Sequence, residues 1–410
     1  MKKIAIITPF LAQGGLEKVA VTGAEYIKEY FDTTLIVFDT FKLDYEYSGK
    51  MIDLKVPFYG LSPLRKVLSL TKIISKLKKL QDIEKYDLII VHGELANLST
   101  LFTSFNKKIV VIHENRFAKK SSKLKNTIFN LIAKSIYNSN STDKIVTVSE
   151  GIRESFIENF NISKEKIQTI YNPYEIQTIV DLSKEDISDD YFKLFNNHDI
   201  FLIAARLSEQ KGHKYFLEIF KYYLINNQNN NTKLVLFGDA ELRNDLILFS
   251  NNLNLKIYSI FDNHEYNESY DIYFLGFDKN PYKYMRNSKV FIMSSLWEGF
   301  GNTLVESMAS GTPVISTDCK SGPKEILSPK THEEILNIHY GEYGILMPKI
   351  DNPETDEIKY TIWNEVINNI LDNNELYNKY LESGSLRAND FDISIIMKQW
   401  KSLIESELIR

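Results

Sequence analysis

Short runs of β-branched and aliphatic residues recur along the chain at 4–8, 34–38, 88–91, 109–112 and 144–148, and again at 200–204, 233–237, 272–275, 290–293 and 314–317. Four or five consecutive apolar residues leave no polar face, so each run predicts a strand covered on both sides. The helix-patterned stretches between the runs supply that cover, giving repeated βα units on parallel sheets. Five runs precede residue 180 and five follow residue 199, which predicts an α/β chain of two doubly wound domains in series. The join falls between Tyr171-Asn172-Pro173-Tyr174 and the acidic stretch 181–190.

Three further patterns refine this outline. Residues 64–80 place Leu64, Val67, Leu68, Ile73, Ile74 and Leu77 on one side of a helix, with Arg65, Lys66, Lys72, Lys76, Lys78 and Lys79 elsewhere. Residues 107–134 add eight cations against the single acid Glu114. The plainer expectation is that the apolar stripe of 64–80 packs on the first sheet and the lysines face solvent, where they remain able to adhere to an anionic membrane. Asn226 to Asn231 reads as a polar surface loop. At 393–410, Ile393, Ile396, Met397, Trp400, Leu403 and Ile404 form a helical stripe that must pack against a partner element.

Composition narrows the class. Hydrophobic residues make up 43% and charged residues 25%, as in an ordinary folded protein rather than a disordered one. Cys319 is the only cysteine, compatible with a reducing cytoplasm and offering no internal disulfide. The opening Met1-Lys2-Lys3 and its apolar run are interrupted by Thr8-Pro9, so we read a buried strand rather than a signal peptide. No window approaches the roughly 18 apolar residues of a spanning helix. The net charge of −5 conceals an asymmetry: residues 1–180 hold 26 Lys and Arg against 19 Asp and Glu, a net of +7, leaving 23 against 35 and a net of −12 for the remainder. A basic first half is expected to face something anionic, and the absence of a recognisable nucleic-acid module points to membrane headgroups or phosphate-bearing lipids.

The chemistry concentrates near residue 300. In Trp297-Glu298-Gly299-Phe300-Gly301-Asn302-Thr303-Leu304-Val305-Glu306, glycines let backbone approach a ligand, and the helix that follows turns its first N–H groups toward an anion such as a diphosphate. Glu298 in the turn suits sugar hydroxyls, and Glu306 suits a ribose diol; a solvated charged pair is the plainer alternative. Arg206 and Lys211 follow an apolar run directly, at the carboxyl end of a strand, where open α/β sheets bind ligands and where two cations can neutralise a departing diphosphate. Gln13-Gly14-Gly15-Leu16-Glu17 joins a strand to a helix through paired glycines without the spacing of a dinucleotide or triphosphate loop. His113 ends a strand, with His92 as a weaker competitor. The seven histidines are scattered and give no metal-binding spacing.

Taken together, Gly14-Gly15-Leu16-Glu17, His113, Arg206 with Lys211, Asn280-Pro281-Tyr282-Lys283-Tyr284-Met285, and Glu298 to Glu306 in an E-x7-E pattern resemble, in order, the signature of family 4 glycosyltransferases. The resemblance implies a GT-B fold, two Rossmann-like domains facing a cleft: residues 1–178 on the acceptor side, joined by a returning helix at 393–410, and residues 190–390 on the nucleotide-sugar side. It implies transfer with retention at the anomeric carbon, without metal or other cofactor. Carried over, His113, Glu298, Arg206 and Lys211 would form the catalytic set. Gly14, Gly15, Phe277, Gly299, Phe300, Gly301, Asn302, Thr303, Leu304 and Glu306 would join Arg206, Lys211 and Glu298 in binding the donor. Ala205 stands where many members have glycine. The segments 276–282 and 318–326 look like those of bacterial capsule and O-antigen enzymes. This implies a UDP-hexose or UDP-N-acetylhexosamine donor and a glycan acceptor linked to polyprenyl diphosphate, at the cytoplasmic face of the cell membrane. The competing expectations are a UDP-sugar epimerase and a non-catalytic glycan-binding subunit.

Overall fold

The computed structural model describes residues 1–12, 14–41, 43–58, 60–117, 130, 133–134, 136–139, 141–227, 231–262 and 265–409. The chain divides into two compact units, Met1–Pro173 with Ile393–Arg410, and Tyr174–Asp392.

In the first unit, β1 (Lys3–Thr8), β2 (Asp32–Val37), β3 (Lys50–Asp53), β4 (Leu88–His92), β5 (Lys108–Ile112), β6 (Lys144–Thr147) and β7 (Ile167–Thr169) form one sheet in the order β3-β2-β1-β4-β5-β6-β7. Every pairing is parallel. All five residues of β4 and of β5 are buried, because helices cover both faces. One face packs Ile7, Ile36, Phe38, Ile89 and Val91 against Ile73 and Leu77 of the helix Pro63–Glu84. The C-terminal helix Ile393–Ile409 belongs to this unit and buries Ile396, Met397, Trp400, Leu403 and Ile404, the side that its spacing marks as apolar.

The second unit holds β8 (Asp199–Ala204), β9 (Thr232–Phe237), β10 (Ile257–Ser259), β11 (Ile272–Phe274), β12 (Val290–Met293), β13 (Val314–Thr317), β14 (His339–Tyr340) and β15 (Ile345–Met347), ordered β10-β11-β9-β8-β12-β13-β15-β14. Its core sets the helix His213–Asn226 against the helix Lys359–Asp372, with Phe216 edge-on to Trp363 at 5.3 Å.

Several expectations need correction. Among the described residues, sheets of seven and eight strands replace the five runs per half, and β14 pairs antiparallel with β15, so the second sheet is mixed rather than wholly parallel. The extra strands have two to four residues, and most mix polar with apolar positions, because edge strands need only one covered face. The stripe on Pro63–Glu84 is divided. Ile73 and Leu77 are fully buried, whereas Leu64, Val67 and Leu68 are 73%, 58% and 55% exposed, because the first two turns do not lie over the sheet. Of the basic region 107–134, residues 108–112 form β5, and 118–129 with 131–132 lie outside the described residues, as do 228–230 of the asparagine-rich loop.

Candidate functional site

In a doubly wound sheet, neighbouring strands whose connections run in opposite directions leave a crevice at their carboxyl ends. In the second unit that reversal falls between β8 and β12, paired in parallel at Val290 with Phe201 and Phe291 with Leu202. The segment 205–212 leaves β8 and the segment 294–301 leaves β12, so residues 87 apart in sequence converge there.

Lys211 Nζ lies 2.5 Å from Glu298 Oε1, and Ser295 Oγ donates to the same oxygen at 2.6 Å. Both charged side chains are largely covered, at 16% and 7% exposure. The surrounding backbone is tied as tightly. Ser294 Oγ donates to Lys211 O, Leu296 N donates to Gln210 O, Gln210 Nε2 donates to Trp297 O, and Ser321 Oγ donates to Glu298 O. Gly212 has φ +63°, and a Cβ there would run into the Ser294 carbonyl, so only glycine lets the two loops cross. Arg206 is exposed and held through Gln210 Oε1 at 3.5 Å.

The helix Asn302–Ala309 opens beside this pair, with Gly301 at φ +101° as its cap. Tyr174 OH donates to Asn302 Oδ1 at 2.7 Å, and Leu304 N donates to Gly301 O. Glu306 is 8% exposed and accepts from Tyr282 OH at 3.4 Å, so the Asn280-Pro281-Tyr282 segment reaches the same helix. Gly299 and Gly301 are buried, and Asn302 and Thr303 are partly exposed. Phe300 and Leu304 point into the core, Phe300 edge-on to Phe391, and therefore offer a ligand only their backbone. Phe277 stands 58% exposed after β11. Burial, with Glu298 and Asp318 nearby, raises the Cys319 thiol well above its usual range and keeps it protonated.

In the first unit the reversal falls between β1 and β4. Gly14 caps the helix Gly15–Ile27 in an extended conformation after β1, and its carbonyl accepts from Tyr45 OH at 3.2 Å. His92 closes β4, and His113 follows β5. Their rings meet, His92 Nδ1 to His113 Nε2 at 3.0 Å. Burial holds both imidazoles neutral, His113 down to about 3 and His92 well below its ordinary value, where the neighbouring His113 adds to the effect.

The structure thus gathers Arg206, Lys211, Glu298, Gly299, Gly301, Asn302, Thr303 and Glu306 in the second unit, and Gly14, Gly15 and His113 in the first. Sequence reasoning missed Gln210, Ser295 and Ser321, which hold the charged pair in place. Position alone could have flagged Ser295, two residues beyond a buried strand. Among the described residues, no group of three or more His, Cys, Asp or Glu side chains is gathered to hold a metal ion, and no helix is long and apolar enough to cross a membrane.

Comparison with known proteins places this geometry. The solved structure of Alr3699/HepE from Anabaena, in complex with UDP and glucose, superposes with a TM-score of 0.72 at 16% identity, covering 99% of this chain and 100% of that one. The fold is GT-B, two Rossmann-like α/β units of which the first takes back the C-terminal helix. Residues 13–178 match the sequence profile of Glycosyltransferase Family 4, and residues 184–337 that of Glycosyl transferases group 1. An uncharacterized glycosyltransferase of Methanocaldococcus jannaschii is 31% identical over 367 residues, 84% of each chain. The chain belongs to the family 4 glycosyltransferases. It is also 27% identical, over 96% of both chains, to the N-acetylgalactosamine-N,N'-diacetylbacillosaminyl-diphospho-undecaprenol 4-alpha-N-acetylgalactosaminyltransferase of Campylobacter jejuni.

Proposed function

We propose that this glycosyltransferase moves a hexose or N-acetylhexosamine, with retention, from a UDP-sugar to a polyprenyl-diphosphate-linked glycan in the assembly of a bacterial surface polysaccharide. The observation that carries the reading is the meeting of Lys211 and Glu298 at the β8/β12 crevice, beside Arg206 and the N-terminus of Asn302–Ala309. A carboxylate that accepts sugar hydroxyls and cations that grip a diphosphate are what a nucleotide-sugar demands at one point. Donor binding offers Lys211 a second anion and Glu298 a set of hydroxyl donors.

In this reading the bond between the anomeric carbon and the β-phosphate oxygen breaks, and a bond to the acceptor oxygen forms on the same face. The acceptor proton passes to the departing diphosphate, so no enzymic nucleophile is needed. Arg206, Lys211 and the helix N-terminus stabilise the growing negative charge, in place of a metal ion. Glu306 holds the ribose, Gly299 to Leu304 and Phe277 line the nucleotide-sugar, and Gly14, Gly15 and His113 are further donor-binding residues. The acceptor class follows the printed activity of the Campylobacter jejuni relative.

Incubation with UDP-glucose, UDP-galactose, UDP-N-acetylglucosamine and UDP-N-acetylgalactosamine, with and without a synthetic polyprenyl-diphosphate disaccharide, tests this directly. Mass spectrometry should show the lipid-linked glycan gain one sugar, with the α-configuration in the NMR spectrum of the product. A β-linked product would overturn retention, and donor consumption without acceptor gain would overturn transfer.

The same reading puts the enzyme at the inner face of the cell membrane as a peripheral protein. Support comes from Leu64, Val67 and Leu68, exposed on two turns that also carry Arg65 and Lys66, with Lys72 on the turn that follows. Each cation near an anionic surface contributes about 1 kcal/mol. Co-sedimentation with phosphatidylglycerol vesicles should weaken as salt rises, and a Leu64→Ser, Val67→Ser, Leu68→Ser variant should bind less at every salt concentration. Binding that ignores both salt and these substitutions would remove the surface from the proposal.

A further inference from the structure

His92 is 4% exposed at the end of β4, in a nest lined by Ile6, Val19, Ile27, Ile90, Pro173, Met397 and Trp400. An imidazole in such surroundings is costly unless its nitrogens are engaged, and its Nδ1 meets His113 Nε2 at 3.0 Å. The rings lie 5.2 Å apart between centroids and 32° from coplanar. Two neutral imidazoles share one proton along such a bond. Either His113 Nε2 donates, leaving His113 Nδ1 as an acceptor, or His92 Nδ1 donates, leaving His113 Nδ1 as a donor. In both cases Nε2 of His113 is taken, and Nδ1 is the ring nitrogen left to face a ligand.

We infer that His92 is a positioning residue: its hydrogen bond occupies His113 Nε2 and fixes the ring orientation, so that His113 presents Nδ1 to the sugar donor. The inference rests on the reading of His113 as a residue that meets the donor. His92 needs no substrate contact to act. Its place on a buried strand, below the glycine turn at Gly93, makes it a rigid support for the imidazole that follows the neighbouring strand. A ring whose orienting partner is lost samples several rotations, and removal of such a partner lowers rates by about 10- to 100-fold in comparable supports of metal ligands.

Asparagine and glutamine separate positioning from packing. The asparagine amide falls near the position of Nδ1 and the glutamine amide near Nε2, so only His92→Asn can restore the bond. Turnover of the UDP-sugar panel should fall about 10-fold or more in kcat for His92→Gln and His92→Phe, with donor KM within about threefold of wild type, and His92→Asn should recover most of it. Nitrogen-15 histidine spectra of the full chain should show His113 Nε2 hydrogen-bonded in wild type and His92→Asn, and released from that bond in His92→Gln. Equal losses for asparagine and glutamine would mean that His92 only fills the core, and a His113 Nε2 free of hydrogen bonding in wild type would overturn the inference as well. His113→Ala serves as the separate control. Full activity in that variant would sink the role of His113 itself, whereas loss there with none in His92→Phe would sink only the role of His92.

Discussion

At the scale of single residues, the Lys211–Glu298 pair bears most directly on stability. Two opposite charges with little exposure stabilise each other only while both are present, and removing one leaves the other buried without its partner. Lys211→Ala should therefore lower stability by about 3 kcal/mol, the lower end of the usual range because the lysine keeps some exposure. Lys211→Met with Glu298→Gln should cost clearly less than the sum of the single changes. Urea midpoints of the four proteins check this, and strict additivity would contradict a coupled pair. The individual residues were legible in the sequence, since each follows a buried strand. Their pairing was not, because it arises only when β8 and β12 become neighbours across a sheet. Ser295 and Ser321 escaped for a related reason: serines near turns are common, and their hydrogen bonds to Glu298 exist only in the folded geometry.

Among the elements, legibility followed continuity of the apolar run. Strands buried on both faces, such as Ile89 to Val91 or Phe291 to Met293, announced themselves, while Lys50–Asp53 and Ile167–Thr169 carry too few apolar residues to stand out from loops. The helix Pro63–Glu84 marks the limit of periodicity. Its spacing shows which positions share a side but not how far the sheet extends beneath them. Gly212 is the element boundary most sensitive to change. Gly212→Ala forces a side chain into left-handed backbone and into the Ser294 carbonyl, so we expect a loss of at least about 1–3 kcal/mol, together with weaker binding of UDP as the loop carrying Lys211 shifts. Calorimetry of both processes checks it, and an unchanged melting temperature would refute the crossing of loops described above. Trp400→Ala should cost about 3–5 kcal/mol, since that indole seals the nest around His92 between the C-terminal helix and the sheet. Loss of less than 1 kcal/mol in urea denaturation would show that the helix is not anchored there.

For the molecule as a whole, charge and acid response divide along the two units. Met1–Pro173 with Ile393–Arg410 holds 29 Lys and Arg against 20 Asp and Glu, a net of +9, and Tyr174–Asp392 holds 20 against 34, a net of −14. The asymmetry is thus sharper by unit than by halves of the sequence. Among the described residues, burial holds three imidazoles below their ordinary value. Burial holds His113 and His213 down to about 3, helped for His213 by the charge of Lys211, and holds His92 well below the usual value. Their ordinary value in an unfolded chain is about 6.5. Between these limits the unfolded chain binds more protons, so stability is full above about pH 6.5 and falls as pH drops toward 3. At pH 5 the loss amounts to about 2 kcal/mol for each of His113 and His213, and His92 adds to it with the same sign. Asp318 acts with the opposite sign, since burial raises its carboxyl even beside Lys324. With two of the three histidines in the first unit, its unfolding transition should move further than the second on going from pH 7.5 to 5. Transitions that shift equally, or not at all, would contradict this.

The return of Ile393–Ile409 to the first unit also orders events during synthesis. Translation at about 5–20 residues per second spends about 10–40 s on the 219 residues from Tyr174 to Asp392. Throughout that interval Ile6, Val19, Ile27 and Ile90 wait without Met397 and Trp400, so the unit begun first on the ribosome is the one finished last.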